Sequence, residues 1–287
     1  MSTLTEPLTH PTPLPVRHEP VQVAPETWVI QATHGEGIAP IAVHMNAMVI
    51  RGAEPVVVDT GAPVNRDQYL EDLFGLVEPD DVRWVFISHD DVDHYGNLHE
   101  VMDACPNATL VASWFLCERM SVGRLDVAPT RWRWVGDGES FDAGDRTLTA
   151  IRPPLYDSPT TRGLLDHRTG VYWAADCYGA GVERGTAYAS DLDPDFWAHS
   201  FETMQAWTSP WVSALDPQAH LRSCRHMEGL GITTIASAHG PTIGSASLDQ
   251  AFALMRTLPA ATIDPQPGQP VLDDIIASMT VQTGGAQ

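Results

Sequence analysis

The sequence is poor in cysteine and in basic residues, and it has no long apolar run. Its 4 cysteines are far apart and form no C-x-x-C pair, which argues against a disulfide-stapled secreted scaffold. Only 16 lysines and arginines accompany 37 acidic residues, and this net charge of −21 argues against nucleic acid as a partner. No apolar stretch approaches the roughly 20 residues that cross a bilayer, and the N-terminus lacks a signal-peptide pattern. We therefore expect a cytoplasmic protein with reduced thiols and no membrane partner.

The rest of the sequence alternates between strand and helix patterns. We expect residues 1–22 to be disordered, residues 23–262 to form one domain, and residues 263–287 to form a C-terminal helix and tail. Apolar, β-branched runs predict strands at residues 27–32, 44–51, 55–59, 83–87, 109–112, 131–135, 139–141, 147–152, 163–166, 170–176 and 233–237. Helical spacing of apolar residues predicts helices at residues 65–76, 99–104, 114–120, 196–215, 217–230 and 248–257.

Side chains that can bind metals follow three of the predicted strands. Residues 88–97 (SHDDVDHYGN) follow one strand, Asp176 follows a second, and His239 follows a third. Because a strand end is rigid while the next loop can turn inwards, we expect these side chains to converge. The first segment offers four potential ligands, enough for two metal ions: His89, Asp91, Asp93 and His94. The alternative, that they only cap the next helix, does not explain two interleaved histidines.

This pattern resembles the H-x-H-x-D-H signature of the metallo-β-lactamase superfamily, and three further landmarks agree in order. Residues 55–61 (PVVVDTG) are similar to the family's second-strand aspartate turn, residues 174–179 (AADCYG) to its bridging-aspartate strand, and residues 237–242 (SAHGPT) to its terminal histidine. The resemblance extends over residues 29–257. It implies an α+β fold, a four-layer αβ/βα sandwich of two mixed β-sheets flanked by helices, and it makes residues 23–262 a metallo-β-lactamase-like domain.

Asp91 occupies the place of the second histidine in that signature. Flavodiiron proteins have H-x-E-x-D-H there, so the sequence is most similar to their β-lactamase-like di-iron domain, without room for their flavodoxin domain. The resemblance therefore implies no tightly bound flavin in this chain. It implies two metal ions with shared ligands: His89 and Asp91 on the first, Asp93 and His239, with or without His94, on the second, and Asp176 between them.

The resemblance also requires a ligand on the loop about twenty residues before the bridging aspartate, where no histidine is found. We expect Asp157 to supply it, with Tyr156 as the alternative. Asp157 could instead bond its own backbone in an Asp-Ser-Pro turn. His167 is nearer in type but lies in a predicted hairpin turn.

Four other side chains are expected to lie around the site. Tyr95 and Tyr156 are the candidate catalytic residues, because both adjoin candidate ligands. Asp59 is expected to orient a ligand histidine, and Asp90 is expected to face solvent.

The ligand types favour redox chemistry over hydrolysis. Three or four carboxylates replace most of the imidazoles of a hydrolytic zinc site, and oxygen-rich shells suit harder ions, so we expect iron first, manganese second and zinc third. The leading hypothesis is a dinuclear non-haem, di-iron oxidoreductase or oxygen-binding protein that acts on O2 or NO. A separate reductase would donate the electrons, and a homodimer is among the expected assemblies. The alternative is a metallohydrolase of a lactone, thioester or phosphoester that uses a metal-bound hydroxide.

Overall fold

The computed structural model describes residues 14–37, 41–123 and 125–283, with side chains up to residue 277. Its first β-sheet has eight strands: β1 (Val16–Ala24), β2 (Thr27–His34), β3 (Val43–His44), β4 (Ala47–Ile50), β5 (Val56–Val58), β6 (Trp84–Phe86), β7 (Thr109–Ala112) and β8 (Trp132–Trp134). The order is β1-β2-β4-β5-β6-β7-β8, and β3 pairs with β2. Strands β1 to β5 pair antiparallel, whereas β5 to β8 pair parallel.

The second β-sheet has five strands: β9 (Ser140–Asp142), β10 (Thr147–Ile151), β11 (Gly163–Asp166), β12 (Val171–Trp173) and β13 (Thr234–Ala236). Their order is β13-β12-β11-β10-β9. All neighbours are antiparallel except β12 and β13, which are parallel. The hairpin of β11 and β12 confirms the one predicted around residues 167–170.

Helices cover the outer face of each sheet. The first sheet carries α1 (Arg66–Leu76), α2 (Val92–Tyr95), α3 (Leu98–Ala104) and α4 (Trp114–Val122). The helices after the second sheet are α5 (Pro194–Thr208), α6 (Pro217–Glu228), α7 (Leu248–Thr257) and α8 (Gln269–Thr283). Asp193 and Asp216 cap α5 and α6 by accepting backbone N–H bonds, and each helix has proline at its first position.

The strands are apolar on both faces because both faces are buried. Val56 and Val58 point into the core between the sheets, while Val57 packs towards the helices of the first sheet. In the second sheet, Trp173 points between the sheets and Tyr172 towards the outer helices. This two-sided burial confirms the predicted four-layer αβ/βα sandwich of two mixed sheets flanked by helices.

Order begins earlier than we expected. Residues 1–22 were predicted to be disordered, but β1 starts at Val16 and pairs with β2; residues 1–13 lie outside the described residues. The prediction was wrong because β1 is an edge strand with no buried residue, and Pro20 lies at an irregularity in its pairing. Arg17 anchors it by an ion pair to Asp72 of α1.

Two further features concern the helices. The helix predicted for residues 196–215 ends at Thr208, and a 3-10 helix follows at Pro210–Ala214, because Pro210 cannot continue an α-helix. Helix α8 lies within the C-terminal segment predicted to be helical. Within the described residues, no helix combines the length and apolar character needed to span a bilayer.

Candidate metal centre

Four strands deliver polar side chains to one edge of the sandwich. Strands β5 and β6 are parallel neighbours in the first sheet, and β12 and β13 are parallel neighbours in the second. Because parallel strands end on the same side, the residues after them meet at that edge. These residues are Asp59 after β5, residues 88–94 after β6, Asp176 after β12 and His239 after β13.

The segment after β6 turns sharply before the chain returns as α3. Gly96 makes that turn possible, because a Cβ atom there would lie 2.4 Å from Pro63 Cδ and 2.4 Å from the Val92 carbonyl oxygen. Any larger residue would push the segment out of place. The short helix α2 thus holds Asp93 and His94 directly against the strand ends.

The first group of candidate ligands surrounds His89 Nε2. The nearest carboxylate oxygens are Asp157 Oδ2 at 3.5 Å, Asp176 Oδ2 at 3.6 Å and Asp91 Oδ2 at 3.9 Å. One ligand atom from each of His89, Asp91 and Asp157 fits within a 4.8 Å span. We call these three residues the first metal position.

The second group lies on the other side of Asp176. His239 Nε2 is 3.3 Å from Asp93 Oδ2 and 3.3 Å from Asp176 Oδ1, and His94 Nε2 is 3.0 Å from Asp176 Oδ1. We call Asp93, His94 and His239 the second metal position. Since Asp176 directs Oδ2 to one group and Oδ1 to the other, its carboxylate is placed to bridge them.

All three imidazoles are held by the nitrogen that faces away from these groups. His94 Nδ1 bonds Asp59 Oδ2 at 2.9 Å, His239 Nδ1 donates to the His44 carbonyl at 2.9 Å, and His89 Nδ1 lies 3.1 Å from Ser88 Oγ. Each Nε2 therefore points into the cluster, as in histidines that bind metals.

Asp59 is the centre of the hydrogen bonds behind the cluster. Its carboxylate accepts from Ser88 N and Ser88 Oγ, each at 2.7 Å, and from Trp173 Nε1 at 2.9 Å, in addition to the bond with His94. It is fully buried and has a φ of 58°, a conformation that aspartate tolerates better than most residues. Asp59 thus lies where we expected a residue that orients a ligand histidine.

The carboxylates create a negative potential that favours positive charge between them. Burial lowers the pKa of His239, but Asp176 and Asp93 outweigh it and raise that pKa to about 9. Burial likewise opposes protonation of His94, yet Asp176 and Asp59 raise its pKa well above the usual value. Burial would raise the pKa of Asp176, but the surrounding imidazoles of His239, His89 and His94 hold it well below its ordinary range.

The donor atoms fit a pair of metal ions. Within the described residues, His89 Nε2, His94 Nε2 and Asp176 Oδ1 are buried without a hydrogen-bond partner, although the last two lie 3.0 Å apart. Buried polar atoms of this kind cost free energy unless something binds them. Cations that accept imidazole nitrogen and carboxylate oxygen would satisfy all three.

The structure brings seven predicted ligands together: His89, Asp91, Asp93, His94, Asp157, Asp176 and His239. Their coordination of metal stays a prediction. For Asp157 the turn alternative is not observed, since its Oδ1 accepts from Thr161 Oγ1 at 3.1 Å rather than from its own backbone.

Two tyrosines were expected to be catalytic, Tyr95 and Tyr156. Tyr95 packs against the hydrophobic cluster between the first sheet and its helices. Tyr156 lies under the Arg152 guanidinium, 5.1 Å from its ring centre, and lines a groove with Trp211. Among the described residues, neither hydroxyl forms a hydrogen bond with a candidate ligand, so a catalytic role stays a prediction for both.

Asp90 does not face solvent, and that expectation was wrong. Its side chain is 9% exposed and forms an ion pair with Arg119 at 2.9 Å and a hydrogen bond from Thr160 Oγ1 at 2.8 Å. Sequence reasoning also missed Ser88, Trp173 and the His44 carbonyl as supports of the cluster. Trp173 and the His44 carbonyl act on partners distant in sequence, and Ser88, although it adjoins His89, is itself bonded to Asp59 29 residues away.

Comparisons with protein families and curated proteins show what this sequence is similar to. A model of the metallo-β-lactamase superfamily matches residues 40–155, which include residues 88–97 but end before Asp157. A type A flavoprotein from Rhodobacter capsulatus is 27% identical over 207 residues, covering 70% of this chain and 45% of the relative. A diflavin flavoprotein A 1 from Synechocystis is 24% identical over 208 residues, covering 69% of this chain and 34% of the relative.

Solved structures show the same fold. Rubredoxin oxygen:oxidoreductase from Desulfovibrio gigas aligns with a TM-score of 0.71 at 16% identity, over 83% of this chain and 61% of that one. The flavodiiron protein from Giardia intestinalis aligns with a TM-score of 0.71 at 19% identity, over 84% and 59%. The chain spans between a third and about half of the length of these curated relatives. Residues 40–155 thus match the metallo-β-lactamase superfamily, and the chain is similar in sequence to diflavin flavoproteins and in fold to a flavodiiron protein.

Proposed function

We propose that this domain holds two iron ions and reduces O2 or NO as part of an oxidoreductase. The observation that carries the proposal is the ligand set, in which four aspartates and three histidines surround two positions. Oxygen-rich, anionic shells favour hard ions and offset the charge of a higher oxidation state. The similarity to a rubredoxin oxygen:oxidoreductase and to a flavodiiron protein supports the same chemistry.

The chain's own residues have separate roles in this proposal. His89, Asp91 and Asp157 would hold one ion, Asp93, His94 and His239 would hold the other, and Asp176 lies between the two groups. Such a pair, when bound, supplies the redox chemistry. The protein contributes fixed ligand geometry, because the three imidazoles are each held from behind.

A small molecule would reach the site from the side of Asp91. Its side chain is 55% exposed, whereas those of His89, His94 and Asp176 are at most 9% exposed. Partial burial, reinforced by the Asp157 carboxylate, raises the pKa of Asp91, although His89 opposes the shift.

Electrons are proposed to come from a separate reductase, and a homodimer is the proposed assembly.

Elemental analysis of protein purified without added metal tests the proposal directly. We expect about two metal ions per chain, mainly iron, because two ligand groups share Asp176. Stopped-flow mixing of the reduced protein with O2 should then give a visible absorption band that decays as O2 is consumed. Two zinc ions per chain and no such band would instead support the alternative, a metallohydrolase.

The substitution Asp157→Ala is expected to remove about one metal per chain. Asp157 Oδ2 is the nearest carboxylate oxygen to His89 Nε2, so its loss leaves the first metal position with two ligands and the bridge. Metal content per chain, measured after dialysis against metal-free buffer, gives the result.

Asp142→Ala is the matched control for this experiment. Asp142 ends β9 of the second sheet and accepts from the backbone N–H of Gly144 two residues on, which is the turn role that Asp157 might have had. It should keep both ions. Equal metal content in both variants would show that Asp157 is not a metal ligand.

A further inference from the structure

We propose that Asp90, Arg119 and Thr160 form a positioning network that fixes the Asp157 loop and thereby sets the affinity of the first metal position. The inference rests on the proposed binding of two ions, and it adds residues outside the ligand set. The three residues of the first metal position lie on segments from different sheets. His89 and Asp91 follow a strand of the first sheet, whereas Asp157 lies on the loop between β10 and β11 of the second. Something must hold the two segments in register.

Asp90 makes that connection from the first-sheet side. Its Oδ2 pairs with Arg119 Nε of α4 at 2.9 Å, and its Oδ1 accepts from Thr160 Oγ1 at 2.8 Å and from Ser158 Oγ at 3.4 Å. A carboxylate only 9% exposed needs such partners, because burying it unpaired is costly. Because Asp90 lies between His89 and Asp91, movement of Asp90 displaces both candidate ligands.

The loop side is fixed by a second set of bonds. Ser113 Oγ donates to the Thr160 carbonyl at 3.1 Å, and Arg162 N donates to the Ser88 carbonyl at 2.9 Å. Next to these anchors, Thr161 Oγ1 donates to Asp157 Oδ1 at 3.1 Å and leaves Oδ2 directed at His89. The positioning network thus helps to fix where the Asp157 loop lies, and Thr161, next to Thr160 in that loop, sets which oxygen Asp157 presents.

The second metal position has different supports. His94 is held by Asp59, and His239 is held by the His44 carbonyl. Neither partner belongs to the positioning network. Loss of the network should thus weaken one ion and spare the other. Removing partners that orient ligands typically lowers metal affinity about 10- to 100-fold.

Titration of the metal-free full chain with Mn²⁺ tests this, with free Mn²⁺ followed by electron paramagnetic resonance. The wild type should bind two ions. Thr160→Val, which removes the hydroxyl, should raise one dissociation constant about 10- to 100-fold and leave the other unchanged. Thr160→Ser restores the hydroxyl and should restore the affinity. Arg119→Gln should act like Thr160→Val and also covers the case in which the buried valine prevents folding.

Arg17→Gln is the matched control. The Arg17–Asp72 pair also joins an arginine, 36% exposed, to an aspartate that is 7% exposed, close to the 44% and 9% of the Arg119–Asp90 pair. It connects β1 to α1, away from the site, and should keep both affinities even if the melting temperature falls.

The outcomes separate the inference from the proposed function. A wild type that binds two ions, together with Thr160→Val and Arg119→Gln variants that bind them equally well, overturns the positioning network alone. Equal weakening of both ions in these variants also overturns it, because the proposed effect is selective. A wild type that binds fewer than two ions overturns the proposed metal pair and this inference with it.

Discussion

Replacing Asp91 with histidine is expected to change the metal that the purified protein retains from mainly iron to mainly zinc. The substitution exchanges a hard, anionic oxygen ligand for a neutral imidazole nitrogen at the first metal position. It also removes one negative charge that would stabilise a higher oxidation state. Zinc accepts nitrogen ligands readily and has no redox requirement, so the balance between the two metals should shift in its favour.

The measurement is the iron-to-zinc ratio per chain in protein expressed in one defined medium. Asp91→Glu is the matched control, since it keeps the carboxylate and should keep iron. The exchange should cost little stability, because the Asp91 side chain is 55% exposed and surface changes usually stay within about 0.5 kcal/mol. An iron-to-zinc ratio that is the same in Asp91→His and wild type would show that the carboxylate of Asp91 does not decide which metal the protein retains.

Asp59→Ala should have the largest effect on the fold and on the second metal position together. It leaves the buried donors of Ser88, Trp173 and His94 without their acceptor, and each such donor costs about 1–3 kcal/mol. Alanine is also strained at a φ of 58°. We expect the free energy of unfolding to fall by about 3–5 kcal/mol, as when one partner of a buried charge pair is removed.

Asp59→Asn separates the two effects. Asparagine tolerates the positive φ and keeps one acceptor oxygen, so the fold should survive, but its amide cannot replace the carboxylate behind His94. Affinity for the second metal ion should fall about 10- to 100-fold, the range for partners of ligand histidines. Urea denaturation of the metal-free variants and Mn²⁺ titration measure the two quantities. Unchanged metal affinity in Asp59→Asn would show that His94 needs no such partner.

Local sequence patterns predicted those parts of the fold in which burial and periodicity agree. The strands Thr109–Ala112 and Gly163–Asp166 and the helix Leu248–Thr257 have the predicted bounds, because their apolar runs end at clear turn residues. Strand β1 was missed for the opposite reason. None of its residues is buried, so its short alternation of Val21, Gln22 and Val23 marks no core face, and its pairing with β2 decides its conformation.

The same division applies to the site. Convergence of His89, Asp176 and His239 was predictable, because each follows a strand end and parallel strands end together. The environment of Asp90 was not, since its partner Thr160 lies 70 residues away in sequence, in the loop between β10 and β11 of the second sheet. The His44 carbonyl is still less visible, because any residue type offers the same oxygen to His239, 195 residues away.

The candidate ligands come from both sheets, so metal binding would couple to the stability of the fold. His89, Asp91, Asp93 and His94 follow the first sheet, whereas Asp157, Asp176 and His239 follow the second. Two metal ions bound between these residues would act as a cross-link that joins the two sheets of the sandwich. Binding energy then becomes folding energy, and it grows with the logarithm of metal concentration above the dissociation constant. The free energy of unfolding of the domain would therefore depend on the supply of metal.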